Sequence, residues 1–266
     1  MSQIKVVVHG ALGRMGREVT NALCQEPNTK VVGAVDLNAS ENNLALPDGS
    51  GNIPLSTKLK DILDAEPPDV LVDFTLAPAT IPAVRIASEK KVNLVIGTTG
   101  LTSDDLEEID RLTRDNGVGA VVAPNFALGA VLMIHLAKIA GKYLDYAEII
   151  ELHHHLKVDA PSGTALLTAR AMAQARGKPF DRPAAKEGRK PSRGEEAEGV
   201  SIHSVRLPGL LAHQEVILGT SGQTLSIRHD TIGRECYMPG IILAIKEVLK
   251  QKGLVYGLDA LLGLQE

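Results

Sequence analysis

The chain has few cysteines and no excess of positive charge. Only Cys24 and Cys236 occur among its 266 residues, and a chain of this length can build its core without disulfides, so we expect a reducing, cytoplasmic setting. The 28 Lys and Arg against 32 Asp and Glu give a formal net charge of −4. This balance offers no general attraction to phosphate backbones, which argues against nucleic acid as a partner.

Long apolar runs are also missing. The most apolar stretch, residues 118–141, is interrupted by Pro124, Asn125 and His135, and so lacks the roughly 20 successive apolar residues that a membrane span needs. The first residues lack the basic region, apolar run and cleavage site of a signal peptide. We therefore expect no membrane partner, and we expect the N-terminus to belong to the fold.

What the chain does contain, in its first half, is an alternation of short apolar strands and helical segments. Buried parallel strands read as near-continuous apolar runs, so this half is predicted to be α/β, with a doubly wound Rossmann-type parallel sheet. The predicted strands are Ile4–Val8, Val31–Val35, Val70–Phe74, Asn93–Ile96 and Val118–Val122, and the helices between them include Leu59–Ala65, Ala79–Lys90 and Ser103–Asp115.

The second half has a different rhythm, which predicts an α+β domain with a mostly antiparallel sheet. Residues 1–126 and 240–266 are predicted to form a dinucleotide-binding domain, and residues 127–239 a substrate-binding and oligomerisation domain. The charged segment Gly177–Gly199 is expected to be a loop, either a solvated excursion or an active-site lid. The predicted elements are helices at Leu128–Lys142, Thr164–Ala175 and Gly240–Lys250, and strands at Ala147–Leu152, Val200–Leu207, Gln214–Leu218 and Gln223–Arg228.

A glycine-rich turn follows the first strand. Gly10, Gly13 and Gly16 are spaced GxxGxxG between a strand and a helix, which suits a backbone that must approach a pyrophosphate. Asp36 ends the second strand, where a carboxylate can accept hydrogen bonds from ribose hydroxyls and repel a 2′-phosphate. No basic residue follows directly, so we expect NADH to bind at least as well as NADPH. Glycines serving only a tight turn are the alternative.

Two further turns follow later strands of the predicted sheet. Gly97-Thr98-Thr99-Gly100 and Ala123-Pro124-Asn125-Phe126 each come directly after a strand. Ligands of open α/β sheets bind outside the carboxyl ends of the strands, so both turns are candidates for the nicotinamide side of a cofactor. Ordinary loop chemistry is the other interpretation of each turn.

The densest polar patch runs from Glu151 to Thr164 and includes His153, His154, His155 and Lys157. Zinc is one interpretation, with His153 and His155 on one face of a strand, but no third ligand stands at a suitable spacing. Histidines satisfied at a sheet edge are another. Acid–base chemistry uses the whole patch, because an imidazole and an ammonium precede a helix N-terminus that can bind an anion with the Thr164 hydroxyl. Such a site would hold a small dicarboxylate.

These motifs together resemble the 4-hydroxy-tetrahydrodipicolinate reductase (dihydrodipicolinate reductase) family over essentially the whole chain. The likeness rests on HGALGRMG, on the GTTG and APNF turns, and above all on ELHHHLKVDAPSGTAL. It implies reduction of 4-hydroxy-tetrahydrodipicolinate to tetrahydrodipicolinate with loss of water, in the diaminopimelate and lysine pathway. It also implies a homotetramer and the use of NADH or NADPH.

The resemblance further implies roles for particular residues. His153 would be the general acid/base and Lys157 a proton donor, while His154, Gly163 and Thr164 would contact the substrate carboxylates; no metal is implied. The implied cofactor-binding residues are Gly10, Ala11, Leu12, Gly13, Arg14, Met15, Asp36, Gly97, Thr98, Thr99, Ala123, Pro124, Asn125 and Phe126.

Two rival classes remain at the level of sequence. A semialdehyde dehydrogenase needs a cysteine nucleophile, and neither Cys24 nor Cys236 has a histidine in its immediate sequence. A non-catalytic nucleotide sensor would bind a dinucleotide and leave the His-Lys patch idle. For Arg234, we expect a structural salt bridge.

Overall fold

A computed structural model describes residues 3–183 and 192–265 of the chain. The chain divides into two compact units, which we call unit 1 (Met1–Leu128 with Arg234–Glu266) and unit 2 (Gly129–Gly233). Residues 184–191 of the predicted loop Gly177–Gly199 lie outside the described residues. The described part of that segment is not all loop, because it contains a short strand at Glu195–Ala197. No helix among the described residues has the length and apolar character to cross a membrane.

Unit 1 contains an eight-stranded sheet with helices between the strands. Its strands are β1 Ile4–His9, β2 Thr29–Val35, β3 Asn43–Ala45, β4 Asn52–Ser56, β5 Val70–Asp73, β6 Asn93–Ile96 and β7 Gly119–Val122, with one further strand from the C-terminal part of the chain. Its helices in this stretch are α1 Arg14–Gln25, α2 Leu59–Ala65, α3 Ala77–Glu89 and α4 Ser103–Asn116.

The chain continues through unit 2 and then returns to unit 1. Unit 2 comprises α5 Leu128–Gly141, which begins at the boundary, β8 Tyr146–His153, α6 Gly163–Arg176, β9 Glu195–Ala197, β10 Val200–Arg206, β11 Ala212–Thr220 and β12 Gln223–Thr231. The return consists of a short 3₁₀ helix at Arg234–Tyr237, α7 Met238–Val248, β13 Gly253–Tyr256 and α8 Leu258–Leu261.

The sheet of unit 1 has the strand order β13-β7-β6-β5-β1-β2-β4-β3, and all pairings except β3 with β4 are parallel. The middles of its central strands are apolar and buried. Val7, Leu71, Leu94 and Ile96 share a buried cluster with side chains of α2, α3 and α4. Helix α1 contacts α7. The predicted doubly wound Rossmann-type sheet is confirmed. The strand order reverses beside β1: the chain places β2, β3 and β4 on one side of β1 and then crosses to place β5 on the other side. Ligands of doubly wound sheets bind at such switch points.

Unit 2 contains a five-stranded sheet in the order β12-β11-β8-β10-β9. Three of its pairings are antiparallel and one, β8 with β10, is parallel, so the prediction of a mostly antiparallel second sheet is confirmed. Helices α5 and α6 contribute Met133, Ala137, Ala169 and Met172 to a core with the inward side chains of the sheet. Along β8 the buried positions alternate, with Ala147, Ile149 and Glu151 facing inward.

Several predicted boundaries need correction. Strands β3, β4 and β9 were not predicted, because they are short and polar, and β4 contains Pro54. Helix α6 begins at Gly163 rather than Thr164, since the Ser162 hydroxyl accepts a hydrogen bond from the Ala165 N–H and so caps the helix. The β11–β12 turn is shorter than predicted, because β11 extends to Thr220.

Candidate active site

The glycine turn of unit 1 depends on close backbone approach. Gly10 has φ of +82°, and a Cβ at Gly16 would lie 2.1 Å from the Gly10 carbonyl oxygen, so no larger residue fits there without a shift of the turn. Gly13 caps α1, and no side chain of the described residues caps the helix's first N–H groups. Those donors therefore remain available to an anion, which fits the pyrophosphate of a dinucleotide.

Asp36, directly after β2, is hydrogen-bonded to this turn. One carboxyl oxygen accepts a hydrogen bond from the Leu12 N–H at 2.9 Å and the other accepts one from the Asn38 N–H at 2.9 Å. The residue is 7% exposed. Sequence reasoning predicted a bond to ribose and did not predict the bond to Leu12, which ties the second strand to the glycine turn.

Each of the two later turns has a side chain that contacts residues at or just after the end of β5. Asp73, 1% exposed, accepts hydrogen bonds from the Thr80 hydroxyl at 2.7 Å and, at 3.4 Å, from that of Thr98. The Phe126 ring is buried, with its centroid 6.0 Å from that of Phe74. The side chains of Thr98 and Phe126 are thus engaged within unit 1.

In unit 2 the histidine-lysine segment leaves the sheet at His153. Strand β8 ends there and His155 lies in the following turn, exposed. The zinc interpretation placed His153 and His155 on one strand face, and the geometry does not provide that face. Among the residues with described positions, no group of three or more His, Cys, Asp and Glu is arranged to hold a metal.

His153 and Lys157 each have a carboxylate partner. The His153 Nδ1 lies 2.5 Å from the Glu151 Oε2, and the Lys157 ammonium donates to both oxygens of Asp159 at 2.7 and 2.8 Å. Burial lowers the pKa of His153 below its ordinary value, although the bond to Glu151 opposes this shift. Lys157 holds the pKa of Asp159 below its usual value. Both proton-bearing groups are therefore kept close to negative charge.

The substrate candidates lie around the N-terminus of α6. The His154 Nδ1 is buried and has no hydrogen-bond partner among the described residues. A Cβ at Gly163 would meet no described atom within 4 Å, so the fold itself does not require glycine there. The Thr164 carbonyl accepts a hydrogen bond from the Thr168 hydroxyl.

Arg234 forms no salt bridge with a carboxylate of the described chain, contrary to expectation.

A Rossmann-type sheet with an open glycine turn, together with a second unit that carries paired acid–base groups, defines an oxidoreductase that uses a nicotinamide dinucleotide. Residues 4–126 match the family model described as "Dihydrodipicolinate reductase, N-terminus", and residues 129–262 match "Dihydrodipicolinate reductase, C-terminus". The chain belongs to the dihydrodipicolinate reductase family, whose activity is the reduction of 4-hydroxy-tetrahydrodipicolinate.

Relatives and a solved structure agree with this assignment. The 4-hydroxy-tetrahydrodipicolinate reductase of a Dehalococcoides mccartyi strain is 59% identical over 264 residues, with 99% of this chain and 100% of that protein covered. The Moorella thermoacetica enzyme of the same name is 48% identical, with 98% and 99% covered. The dipicolinate-bound dihydrodipicolinate reductase from Paenisporosarcina sp. TG-14 is 37% identical, with a TM-score of 0.86 and 97% and 98% covered.

Proposed function

We propose that unit 1 holds the dinucleotide and that unit 2 binds the substrate and supplies its protons. The residues proposed to hold the dinucleotide lie in four stretches: Gly10–Met15, Asp36, Gly97–Thr99 and Ala123–Phe126. The support is the positive φ of Gly10 and the start of α1, which no described side chain caps; both suit a pyrophosphate. When bound, the reduced nicotinamide supplies the hydride.

We infer that NADH is used at least as well as NADPH. Asp36 lies beside the glycine turn with its carboxylate bonded to the Leu12 N–H, where it would repel a 2′-phosphate, and Leu37 and Asn38 bring no positive charge. The measurement is the ratio of kcat/KM for the two nucleotides. A large preference for NADPH contradicts this inference.

The substrate class is a small cyclic dicarboxylate. The Paenisporosarcina reductase binds dipicolinate, and the N-terminus of α6 offers N–H groups, the Thr164 hydroxyl and an open approach at Gly163. His154 brings a buried Nδ1 without a partner in the described structure. We assign the carboxylate contacts to His154, Gly163 and Thr164, since backbone N–H groups and an imidazole can bind two carboxylates at separate points.

The reaction requires a proton at the ring nitrogen. The ring of the substrate already contains a C=N bond. The 4-hydroxyl leaves as water together with a hydrogen of the adjacent ring carbon, which creates a C=C bond conjugated with that C=N bond. Addition of hydride to the far carbon of the C=C bond then leaves the negative charge on nitrogen. Lys157 stabilises this negative charge, and His153 or Lys157 donates the proton that completes the reduction. One observation supports these roles: His153, His154 and Lys157 lie within the segment that leads into the N-terminus of α6, where a Cβ at Gly163 would meet no described atom within 4 Å.

Steady-state kinetics test the proposal. Freshly generated 4-hydroxy-tetrahydrodipicolinate is supplied to the purified protein with NADH or with NADPH, and oxidation of the nucleotide is followed. Binding of dipicolinate is measured by calorimetry on the wild type, His154→Ala and Gly163→Ala. We expect turnover, with dipicolinate binding weakened in both variants. Unchanged binding in both contradicts the assigned substrate contacts.

We also propose a homotetramer in the cytoplasm, assembled through the sheet of unit 2. This proposal rests on the family resemblance and on the low cysteine content, since Cys24 and Cys236 are the only cysteines of the sequence. Sedimentation velocity at several protein concentrations tests it, and a monomer throughout contradicts it.

Shortening Gly177–Gly199 should raise KM if this segment acts as a lid, whereas unchanged kinetics indicate a passive loop.

A further inference from the structure

Glu151 is a fully buried carboxylate that faces the core of unit 2 at the end of β8. Its side chain is 0% exposed. The Arg206 guanidinium, from the neighbouring strand β10, donates to both of its oxygens at 2.8 Å, and the Ser162 N–H donates to one at 3.2 Å. Burial alone would raise the pKa of Glu151, but the bonds from Arg206, Ser204 and His153 outweigh it and lower the pKa. Glu151 is therefore held as a carboxylate.

The partner that matters for chemistry is His153. Its Nδ1 lies 2.5 Å from the Glu151 Oε2, and the imidazole is 15% exposed. A carboxylate only accepts hydrogen bonds, so the neutral ring must carry its proton on Nδ1 and present the Nε2 lone pair away from Glu151. The bond thus selects one tautomer and fixes the plane of the ring.

The same buried pair also holds the segment that carries Lys157. Arg206 donates to the Asp159 carbonyl at 2.6 Å, and Asp159 is the carboxylate that binds Lys157. Ser162, whose N–H binds Glu151, caps α6. The segment 154–162 is therefore tethered at Asp159 by Arg206 and at Ser162 by Glu151.

We propose that Glu151 is a positioning residue for proton transfer: with Arg206 as its counter-ion, it sets the tautomer and orientation of His153 and anchors the segment that presents Lys157. This proposal rests on the proposed role of His153. Glu151 itself touches no reacting atom in this scheme. The charged groups that act on His153 are Glu151, Lys157 and Arg206, so a change at Glu151 should be visible in the pH dependence of the rate.

The test compares Glu151→Gln with a matched control, Glu148→Gln. Glu148 lies three residues earlier on β8 and also pairs with a histidine, its Oε2 lying 2.9 Å from the His203 Nε2, but this pair is 45% and 30% exposed. We expect Glu151→Gln to lower kcat by about 10–100-fold, as removal of a partner that orients a functional histidine does at metal sites. The KM for the nucleotide should not change. Glu148→Gln should keep the kcat of the wild type.

The pH profile separates positioning from mere stability. The neutral carboxamide introduced by Glu151→Gln no longer attracts the imidazolium, so the limb of the kcat profile that reports protonated His153 should move to lower pH in this variant. The same limb should stay in place in Glu148→Gln. If a folded Glu151→Gln protein keeps the kcat and pH profile of the wild type, the proposal is wrong.

A second measurement needs no variant at Glu151, and it decides the matter should that variant fail to fold. Nitrogen-15 NMR of the wild type, with the His153 signal assigned through His153→Gln, should show the neutral ring protonated at Nδ1. The opposite tautomer overturns the proposal. If His153→Gln has the turnover of the wild type, His153 has no role in catalysis. If His153→Gln is inactive and Glu151→Gln is fully active, His153 keeps its role and only the positioning role of Glu151 is refuted.

Discussion

The most deeply buried carboxyl groups of the two units are Asp73 and Glu151, at 1% and 0% exposure among the described residues. Each lies at or near the end of a strand, and the two groups are satisfied in different ways. Asp73 in unit 1 accepts hydrogen bonds from the hydroxyls of Thr75 and Thr80, each at 2.7 Å, and from the Thr75 N–H at 3.1 Å. The Nδ1 of the ionisable residue His9 lies 3.3 Å from the Asp73 Oδ1. Glu151 in unit 2 instead accepts hydrogen bonds from the Arg206 guanidinium and the His153 imidazole.

The difference teaches what each unit is built to do. Hydroxyl and backbone donors carry no net charge, so the hydrogen bonds that Thr75 and Thr80 donate to Asp73 come from groups that do not titrate, although the His9 ring lies 3.3 Å away. The Glu151 site combines a cation with an imidazole, which makes the orientation of a proton donor part of the buried network.

The largest expected effect is that of removing either of the two side chains proposed as proton donors in unit 2. His153→Ala and Lys157→Ala should each lower kcat by about 10²–10⁴-fold, because a general acid is removed. The affinity for NADH, measured by fluorescence titration, should stay unchanged. His155→Ala is the matched control, since His155 is exposed in the turn between them, and it should keep activity. Near-normal turnover in both the His153 and Lys157 variants refutes the assignment.

Replacing each buried carboxyl group by its carboxamide tests the comparison itself. Glu151→Gln leaves the Arg206 cation uncompensated and should cost about 3–5 kcal/mol. Asp73→Asn should cost about 1 kcal/mol, since threonine hydroxyls can rotate to accept from the new amide. Urea unfolding gives the free energies, and amide hydrogen exchange in β5 and β8 assigns them to a unit. An equal or larger cost at Asp73 contradicts the distinction between the two sites.

Two glycines separate a requirement of the fold from a requirement of the ligand. Gly16→Ala places a Cβ 2.1 Å from the Gly10 carbonyl and should cost about 1–3 kcal/mol and weaken NADH binding. Gly163→Ala meets open space among the described residues and should leave Tm unchanged or slightly raised, while the KM for the substrate rises. Calorimetry and kinetics check both. An unchanged KM in Gly163→Ala would show that the ligand does not approach this backbone.

The smallest expected effect is a pH dependence of stability confined to unit 2. The histidines with lowered pKa, His153 and His229, both lie there, and burial is the main cause in each. The unfolded chain takes up protons first as the pH falls below the ordinary value of 6.5, so the free energy of unfolding should fall by about 1 kcal/mol or less. Hydrogen exchange of β8 at about pH 7 and about pH 5.5, on either side of the ordinary histidine pKa, checks this, with His153→Gln as the variant that should flatten the dependence.

Local sequence was sufficient for features that depend on neighbouring residues. The glycine turn and the alternation of strands and helices follow from local pattern and period. The start of α1 does not, because the helix begins at Arg14, within the glycine motif. Strand β4 was missed because Asn52 and Pro54 oppose a strand prediction, and only pairing with β2 and β3 makes it one.

The role of Glu151 was missed for a different reason. Arg206 is 55 residues away from Glu151 in the chain, so no local sequence pattern predicts that the two side chains pair. A signal did exist, because the period of two along β8 places Glu151 on the same buried face as Ala147 and Ile149. A charged residue on a buried face needs a partner, so a search for one would have been justified.

Strand β13 pairs with β7 at the edge of the sheet of unit 1, although 130 residues separate Val122 from Gly253. During synthesis the ribosome releases all of unit 2 before β13 emerges. The inserted unit can therefore fold first, while the β7 edge of unit 1 is still without its last strand and exposes unpaired backbone groups to other nascent chains. The order of translation thus makes that edge the point at which a chaperone would be most useful.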